Sequence, residues 1–367
     1  MRYYIIAGEA SGDLHGSNLI KALHRNDSNA DVRCWGGDKM QEAGATLVKH
    51  YRDLAFMGFV EVLTHLRTIF RNIDLCKQDI TEYKPDVIVF IDYPGFNMRI
   101  AEWAKQQGYK TVYYISPQVW AWKENRVKKI KRDVDKMLVI LPFEKQFYNK
   151  WAYDVSYVGH PLIQVVEEEQ RKPVIPISSK PIIALLPGSR SQEIKVKLPV
   201  MLTMVSRFPE YQFVIAQAPA QPDSTYRELI GSQDVMLVKN QTYDLLRQAK
   251  AALVTSGTAT LETALFGVPE VVCYKGNPIS YMLAKRLVKI KYISLVNLIM
   301  DKPVVTELIQ GDLNETMLQK ELDKILNNAA HIKQLKTDYE QLWHLLGDSN
   351  ASDNAAKAII AVAQTKP

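Results

Sequence analysis

The chain has 367 residues, room for about two domains at roughly 150 residues each. Hydrophobic residues make up 47% and charged residues 23%, a globular balance that excludes disorder, collagen and coiled coil for the bulk of the chain. Lys and Arg total 46 against 40 Asp and Glu, a net charge of +6. That excess is too small to mark a nucleic-acid binder, so no nucleic acid is expected, but it suits an anionic partner or membrane surface.

Cys34, Cys76 and Cys273 form no Cys-x-x-Cys pair and have no His at metal spacing. Neither a disulfide framework nor a structural zinc site is expected, and free thiols point to a reducing compartment. The first apolar stretch, Tyr3–Ala7, is short and runs into Gly8 and Glu9, which reads as a strand rather than a signal peptide. No run approaches the ~18–20 apolar residues that span a bilayer. The expectation is a soluble, cytoplasmic protein whose membrane role is peripheral.

Short apolar runs recur in chain order at Tyr3–Ala7, Val87–Ile91, Thr111–Ile115, Lys136–Ile140, Ile182–Leu186, Gln212–Ala216, Ala251–Val254 and Glu270–Cys273. Continuous rather than alternating apolar runs indicate strands buried on both faces, and helical stretches between them indicate parallel βαβ units. The expected class is α/β, with ligands at the carboxyl ends of a doubly wound sheet. The stretch from His160 to Pro181 holds four prolines, two serines and the acidic run Glu167–Glu169, after which the rhythm restarts. Two α/β domains facing across a cleft are predicted, over 1–165 and 166–345, with a C-terminal helical segment over 346–367. Asp348, Ser349 or Ser352 can cap a last helix over Ala355–Ala363.

Seven stretches are candidates for chemistry. Gly8-Glu9-Ala10-Ser11-Gly12-Asp13 follows the first strand and is either a plain β-to-α turn or an anion cradle; it is not a dinucleotide fingerprint. Asp92 follows an apolar strand and precedes Pro94-Gly95; it suits a general base or a hydroxyl ligand, or simply a turn. Trp120 and Trp122 precede Lys123–Arg132, a segment with six basic residues, which suits a membrane interface, a phosphate site or a solvated helix face. Leu186-Pro187-Gly188-Ser189-Arg190 reads as a phosphate cradle in which Arg190 can bind bidentately.

Ser256-Gly257-Thr258-Ala259-Thr260 opens a helix after a strand and suits a diphosphate. Glu262, one turn on, can accept from ribose hydroxyls or complete a capping box. A helix is predicted over Phe56–Cys76 with apolar positions wider than the ~100° stripe of a surface helix, and with His65, Arg67, Arg71 and Asn72 on its polar side. It is either a packed core helix or an exposed patch for an acyl chain or bilayer. Last, Tyr281–Leu295 carries Lys285, Arg286, Lys289 and Lys291 among apolar residues.

These stretches, Phe56–Cys76 apart, with Phe96-Asn97, Leu141-Pro142-Phe143-Glu144, Gly159-His160-Pro161, Ala284–Lys289, Ser294-Leu295 and Asn297-Leu298, run collinearly through nearly the whole chain. In this order they closely resemble the lipid-A-disaccharide synthase family, inverting glycosyltransferases of the GT-B fold. The resemblance implies transfer of 2,3-diacylglucosamine from its UDP conjugate to the 6-hydroxyl of 2,3-diacylglucosamine 1-phosphate. The products are a β-1,6-linked disaccharide and UDP. It implies an acceptor and membrane side in the first domain and a UDP side in the second. The C-terminal helix is expected to pack back on the first domain, within one chain or exchanged in a homodimer. No cofactor and no metal is expected, and the protein is placed at the anionic inner face of the cytoplasmic membrane.

On this resemblance Asp92 and Arg190 are the expected catalytic residues. Gly188, Ser189, Arg190, Ser256, Gly257, Thr258, Thr260 and Glu262 are expected to bind UDP. Gly8, Glu9, Ser11, Gly12, Asn97, Asn297 and Gln310 are expected at the acceptor or donor sugar. Phe59, Val60, Val62, Leu63, Leu66, Ile69, Phe70, Trp120 and Trp122 are expected in an acyl or membrane patch. The family often reads Asp-Ala-Pro-Asp-Phe-Asn where this chain has Asp92-Tyr93-Pro94-Gly95-Phe96-Asn97, so one acid of that loop is missing. His15 stands where relatives can carry an aliphatic residue, and Val296 where a Pro is common; neither is assigned a role.

The expected mechanism is a single displacement. Asp92 deprotonates or orients the acceptor hydroxyl, while Arg190 and the Ser256–Thr260 helix start stabilise charge on the leaving UDP. Two other readings stand beside it: a GT-B relative acting on UDP-N-acetylglucosamine, such as an epimerase or the peptidoglycan transferase, and a non-catalytic nucleotide-binding module at the membrane surface.

Overall fold

The computed structural model of the chain describes residues 1–53, 66–122, 124–277, 281–282, 290–347 and 350–365. Phe59, Val60, Val62, Leu63, Lys285, Arg286 and Lys289 lie outside them, as does the first half of the predicted 56–76 helix.

Thirteen strands are described in two parallel sheets. The first holds β1 (Arg2–Ala7), β2 (Asp31–Gly36), β3 (Thr46–His50), β4 (Val87–Ile91), β5 (Thr111–Tyr114), β6 (Lys136–Val139) and β7 (Ser156–Tyr157), in the order β3-β2-β1-β4-β5-β6-β7. The second holds β8 (Ile182–Leu186), β9 (Gln212–Gln217), β10 (Val235–Lys239), β11 (Ala249–Thr255), β12 (Glu270–Tyr274) and β13 (Thr306–Ile309), in the order β10-β9-β8-β11-β12-β13. The chain divides into two compact units, Met1–Pro161 with Asp348–Pro367, and Leu162–Gly347.

Each sheet reverses its winding once, between β1 and β4 and between β8 and β11. At such a point the loops leaving the two strands diverge to opposite faces and open a crevice at the carboxyl edge. The glycine loop after β1 and Asp92 after β4 therefore meet in the first unit. Gly188–Arg190 after β8 and Ser256–Thr258 after β11 meet in the second.

All eight expected strands are present. Five more are β2, β3, β7, β10 and β13; β10 opens on the apolar run Val235–Val238, whereas the other four are not continuous apolar runs. Four of the five are sheet edges whose residues, Val238 and Leu308 apart, are half-buried or exposed, and β2, next to an edge, carries Asp31 and Arg33 in its first half. One-sided burial removes the demand for unbroken hydrophobicity that marks central strands.

In the first unit a hydrogen-bond chain ties β1 and β2 to the Leu66–Tyr83 helix. Trp35 Nε1 donates to Tyr4 Oη at 2.8 Å, Tyr4 donates to Asp79 at 2.7 Å, and Arg33 pairs with Asp79 at 2.8 Å. That helix buries Ile73, Cys76 and Ile80 while Phe70 and Leu75 face out. Asn72, expected on its polar side, is 5% exposed and belongs to the inner face. Asp13 is also structural. Its carboxylate accepts from the amides of Gly37, Lys39 and Met40, the orphan donors at the start of the Asp38–Glu42 helix.

The Ala351–Gln364 helix closes the first unit. Ala351, Ala355, Ala356 and Ile359 form a buried face that packs on the Ala10–Asn26 helix. Asp353 pairs with Arg25 at 3.1 Å, and Lys110 donates to the carbonyls of Ala363 and Thr365. The three cysteines are buried free thiols. Among the described residues no helix is long and apolar enough to cross a membrane.

Candidate active site

In the first unit the backbone turns sharply after β4. Asp92 and Tyr93 both adopt left-handed conformations, with φ of 43° and 47°. Two such residues in a row, neither of them glycine, store strain on the order of 1–3 kcal/mol each, as is common at functional sites. Surrounding bonds hold them there. The Asp92 amide donates to the Ile115 carbonyl at 3.3 Å, Tyr113 Oη donates to the Asp92 carbonyl, and Pro94 starts the Pro94–Gln106 helix. The Tyr93 ring lies over Gly8, where any Cβ would overlap it. Gly8 is thus required by close approach rather than by its own dihedrals.

Asn97 is fully buried beneath this turn. Its Nδ2 donates to the carbonyls of Asp92 at 2.8 Å, Ile91 at 3.3 Å and Ile6 at 3.4 Å, so it pins the ends of β1 and β4 together. The structure brings Gly8, Glu9, Asp92 and Asn97 into one crevice. Glu9 is half-buried there and Ser11 is exposed, while Gly12 packs against Ala7.

Burial pushes the Asp92 carboxyl up to about 7, with the like charge of Glu9 second; the Tyr93 amide opposes both. A carboxyl poised near neutrality at the carboxyl edge of a sheet is matched to proton transfer. His15 has no comparable place. It is 6% exposed on the Ala10–Asn26 helix, and burial pushes it down to about 4.

The two tryptophans part company. The short Val119–Trp122 helix turns Trp120 inward, edge-on to Phe143 at 4.9 Å, with its Nε1 buried. Trp122, two residues on, points away with 50% exposure, and the Arg126 guanidinium lies over its ring at 5.7 Å. Phe70, 55% exposed, is covered in the same way by Arg99 at 5.8 Å. Ile69 is half-buried against the core, and Leu66 opens the helix. The basic run is less free than its sequence suggests. Lys129 and Arg132 pair with Glu102, Arg132 also with Asp133, and Lys131 donates to the Ala152 carbonyl.

An Asp-x-Asp triplet, Asp133-Val134-Asp135, also precedes β6. It lies at the amino end of that strand, opposite the crevice, and its carboxylates hold Arg132, Lys105 and the Thr111 amide.

In the second unit Gly188 turns with φ of +114°, a conformation that favours glycine. It leads through Ser189 to Arg190, the N-cap of the Ser191–Leu202 helix. The Arg190 side chain is 61% exposed and pairs loosely with Glu193 at 3.5 Å, which leaves its guanidinium available to a ligand. Across the switch point Gly257 caps the Thr258–Leu265 helix, whose first amides have no intrahelical acceptor.

The hydroxyls of this second loop are engaged. Ser256 Oγ donates to the Ile293 carbonyl at 2.8 Å, and Thr260, fully buried, donates to the Gly257 carbonyl at 2.9 Å. The groups left open at this crevice are the helix-start amides, exposed Thr258 and Arg190. Glu262 is half-buried and accepts from Tyr243 Oη at 2.8 Å.

Asn297 and Gln310 act at a second level. Glu307 accepts from the amides of Ile293 and Ser294, from Ser294 Oγ at 2.7 Å and from Asn297 Nδ2 at 2.9 Å. Asn297, 1% exposed, is used up by this latch and by Val305. The latch sets the segment that Ser256 grips. Gln310, left-handed at φ 53°, accepts from the Gly276 amide and lines a cavity of about 460 Å³ with Val196, Tyr281 and Asn314. Glu307 and Tyr93 carry this architecture although the sequence alone assigned neither a role; Tyr93 follows Asp92, and Glu307 lies three residues before Gln310.

A family model described as "Lipid-A-disaccharide synthetase" matches residues 3–362. The chain is 37% identical over 370 residues to the lipid-A-disaccharide synthase of Geobacter metallireducens, covering 98% of this chain and 96% of that one. It is 39% identical over 364 residues to the enzyme of Syntrophus aciditrophicus, covering 96% and 95%. Among solved structures, the UDP-GlcNAc 2-epimerase of Neisseria meningitidis bound to UDP-GlcNAc superposes with a TM-score of 0.67 at 13% identity, covering 98% of this chain and all of that one. The glycotransferase of kitacinnamycin gives 0.67 at 14% identity, covering 98% of each chain. These distant likenesses establish the fold, two Rossmann-like α/β domains of GT-B type. The chain belongs to the lipid-A-disaccharide synthase family, the disaccharide-forming hexosyltransferases of lipid A biosynthesis.

Proposed function

We propose that this chain transfers 2,3-diacylglucosamine from UDP to the 6-hydroxyl of 2,3-diacylglucosamine 1-phosphate, with inversion, giving the β-1,6-linked disaccharide and UDP. The observation that carries the reading is Asp92: a strained, half-buried carboxyl held near neutrality beside a glycine loop. In this reading the first unit takes the acceptor. Asp92 accepts the proton of the 6-hydroxyl as its oxygen attacks the anomeric carbon, and Asn97 holds the turn from below. The second unit takes UDP. Arg190 and the amides at Thr258 meet the charge that grows on the leaving diphosphate, and Glu262 meets the ribose.

Exposed Phe70 and Trp122, each under a guanidinium, suit an acyl chain or a lipid surface, with the protein peripheral to the inner face of the cytoplasmic membrane. A homodimer through the C-terminal region belongs to the same reading.

The test separates the two units. Asp92→Asn should leave UDP affinity nearly intact while turnover falls by about 10²–10⁴. Arg190→Ala should weaken UDP binding. Full turnover in the first variant, or unchanged affinity in the second, would remove that residue from its role.

A further inference from the structure

One charged side chain in the second unit has no use in the account above. Lys197 lies on the Ser191–Leu202 helix and is 2% exposed. Among the described residues no carboxylate lies within ion-pairing distance of its ammonium, which stands 5.9 Å from the centroid of the Tyr274 ring. An ammonium is expensive to bury without a counter-charge, and a Met or Leu would fill the same space without that cost. Burial lowers its pKa, which Glu193 opposes and Arg190 reinforces.

Its position shows where a counter-charge would come from. Glu193 lies one helical turn before Lys197, pairs with Arg190 and sits against Gly188, so Arg190 at the N-cap and Lys197 fall within about two turns of one helix. Tyr274 ends β12, and only β11 separates β12 from β8. The Lys197 ammonium therefore stands at the carboxyl edge of the sheet, close to where β11 delivers Ser256–Thr258.

We infer that Lys197 is a further anion-binding residue, whose ammonium takes a phosphate oxygen of the nucleoside diphosphate held by Gly188–Arg190 and the Thr258 helix start. The inference rests on the reading of the second unit as the UDP-binding unit. The diphosphate supplies the missing counter-charge, and the tyrosine ring holds the ammonium in place by a cation–π contact until the ligand arrives.

Calorimetric titration with UDP, UMP and uridine tests this on the full chain, its Lys197→Met and Lys197→Arg variants, and Arg190→Ala as reference. Lys197→Met should weaken UDP about tenfold or more, the size of one charge-assisted hydrogen bond. Uridine affinity should stay unchanged, and Lys197→Arg should keep most of the UDP affinity. Unchanged UDP binding in Lys197→Met, with binding lost in Arg190→Ala, would overturn the inference and leave the UDP reading standing. Equal loss of UDP and uridine in Lys197→Met would also overturn it, because a structural role weakens both. A wild-type chain that prefers UDP no more than uridine would overturn both.

Discussion

Removing the charge of Glu9 should move the pH dependence of the reaction without removing the base. Asp92 rises from an ordinary 3.8 to about 7, close to three pH units. At 1.36 kcal/mol per unit, the fold disfavours the ionised form by about 4 kcal/mol. Burial is the larger cause and Glu9 the second, so Glu9 carries less than half of the upward push. A general base works deprotonated, so wild-type turnover should rise with pH through about 7. Glu9→Gln should carry that acid limb to lower pH, with the limb itself still present. Asp92→Asn should abolish the limb. The assay is UDP release at saturating substrates from pH 5 to 9. A limb that stays near 7 in Asp92→Asn would refute Asp92 as its source. A limb unmoved in Glu9→Gln would refute the electrostatic coupling.

Gly8→Ala should lower stability by about 1–3 kcal/mol, because its Cβ must displace the Tyr93 ring, and turnover should fall with it; thermal unfolding reads the first effect. Glu270, 1% exposed with both carboxylate oxygens unpartnered, is raised well above its ordinary value by burial and then by Glu307. A raised acid supports the fold below its ordinary pKa and loses that support as pH climbs through the folded value. Glu270→Met should therefore unfold at a higher temperature than wild type at pH 8, with a smaller gap at pH 5. Phe70→Ser with Trp122→Ser should reduce sedimentation with anionic lipid vesicles, and raising salt should reduce wild-type sedimentation too. Binding unaffected by both changes would dismiss that surface.

Central strands were legible because both faces are buried. Val87–Ile91 and Ile182–Leu186 are wholly apolar and wholly inside. Edge strands such as Thr46–His50 and Thr306–Ile309 were not, because most of their residues meet solvent in part and no continuous run is needed. The site loops were legible as glycine and acid patterns at strand ends. What those residues do locally was not. Thr260 reads as a ligand hydroxyl until the helix start folds it onto the Gly257 carbonyl. Asn97 and Asn297 read as sugar-facing amides, yet both are enclosed and hold backbone.

The left-handed Asp92-Tyr93 turn is set by Tyr113, Ile115 and Gly8, contacts that no local pattern encodes. The basic run Arg126–Arg132 looks like unopposed charge along the chain, but Glu102, distant in sequence, neutralises part of it. Pairings of that kind arise only when the Pro94–Gln106 helix packs on Val127–Asp133.

The most direct test of the central claim is a product analysis. The chain would be incubated with UDP-2,3-diacylglucosamine and 2,3-diacylglucosamine 1-phosphate, with UDP-N-acetylglucosamine, which has no 3-O-acyl chain, in a parallel reaction. A β-1,6-linked disaccharide 1-phosphate and one UDP per disaccharide are expected from the diacylated pair, with no product from UDP-N-acetylglucosamine. Epimerised UDP-sugar, or UDP-sugar binding without turnover of the acylated pair, would contradict it.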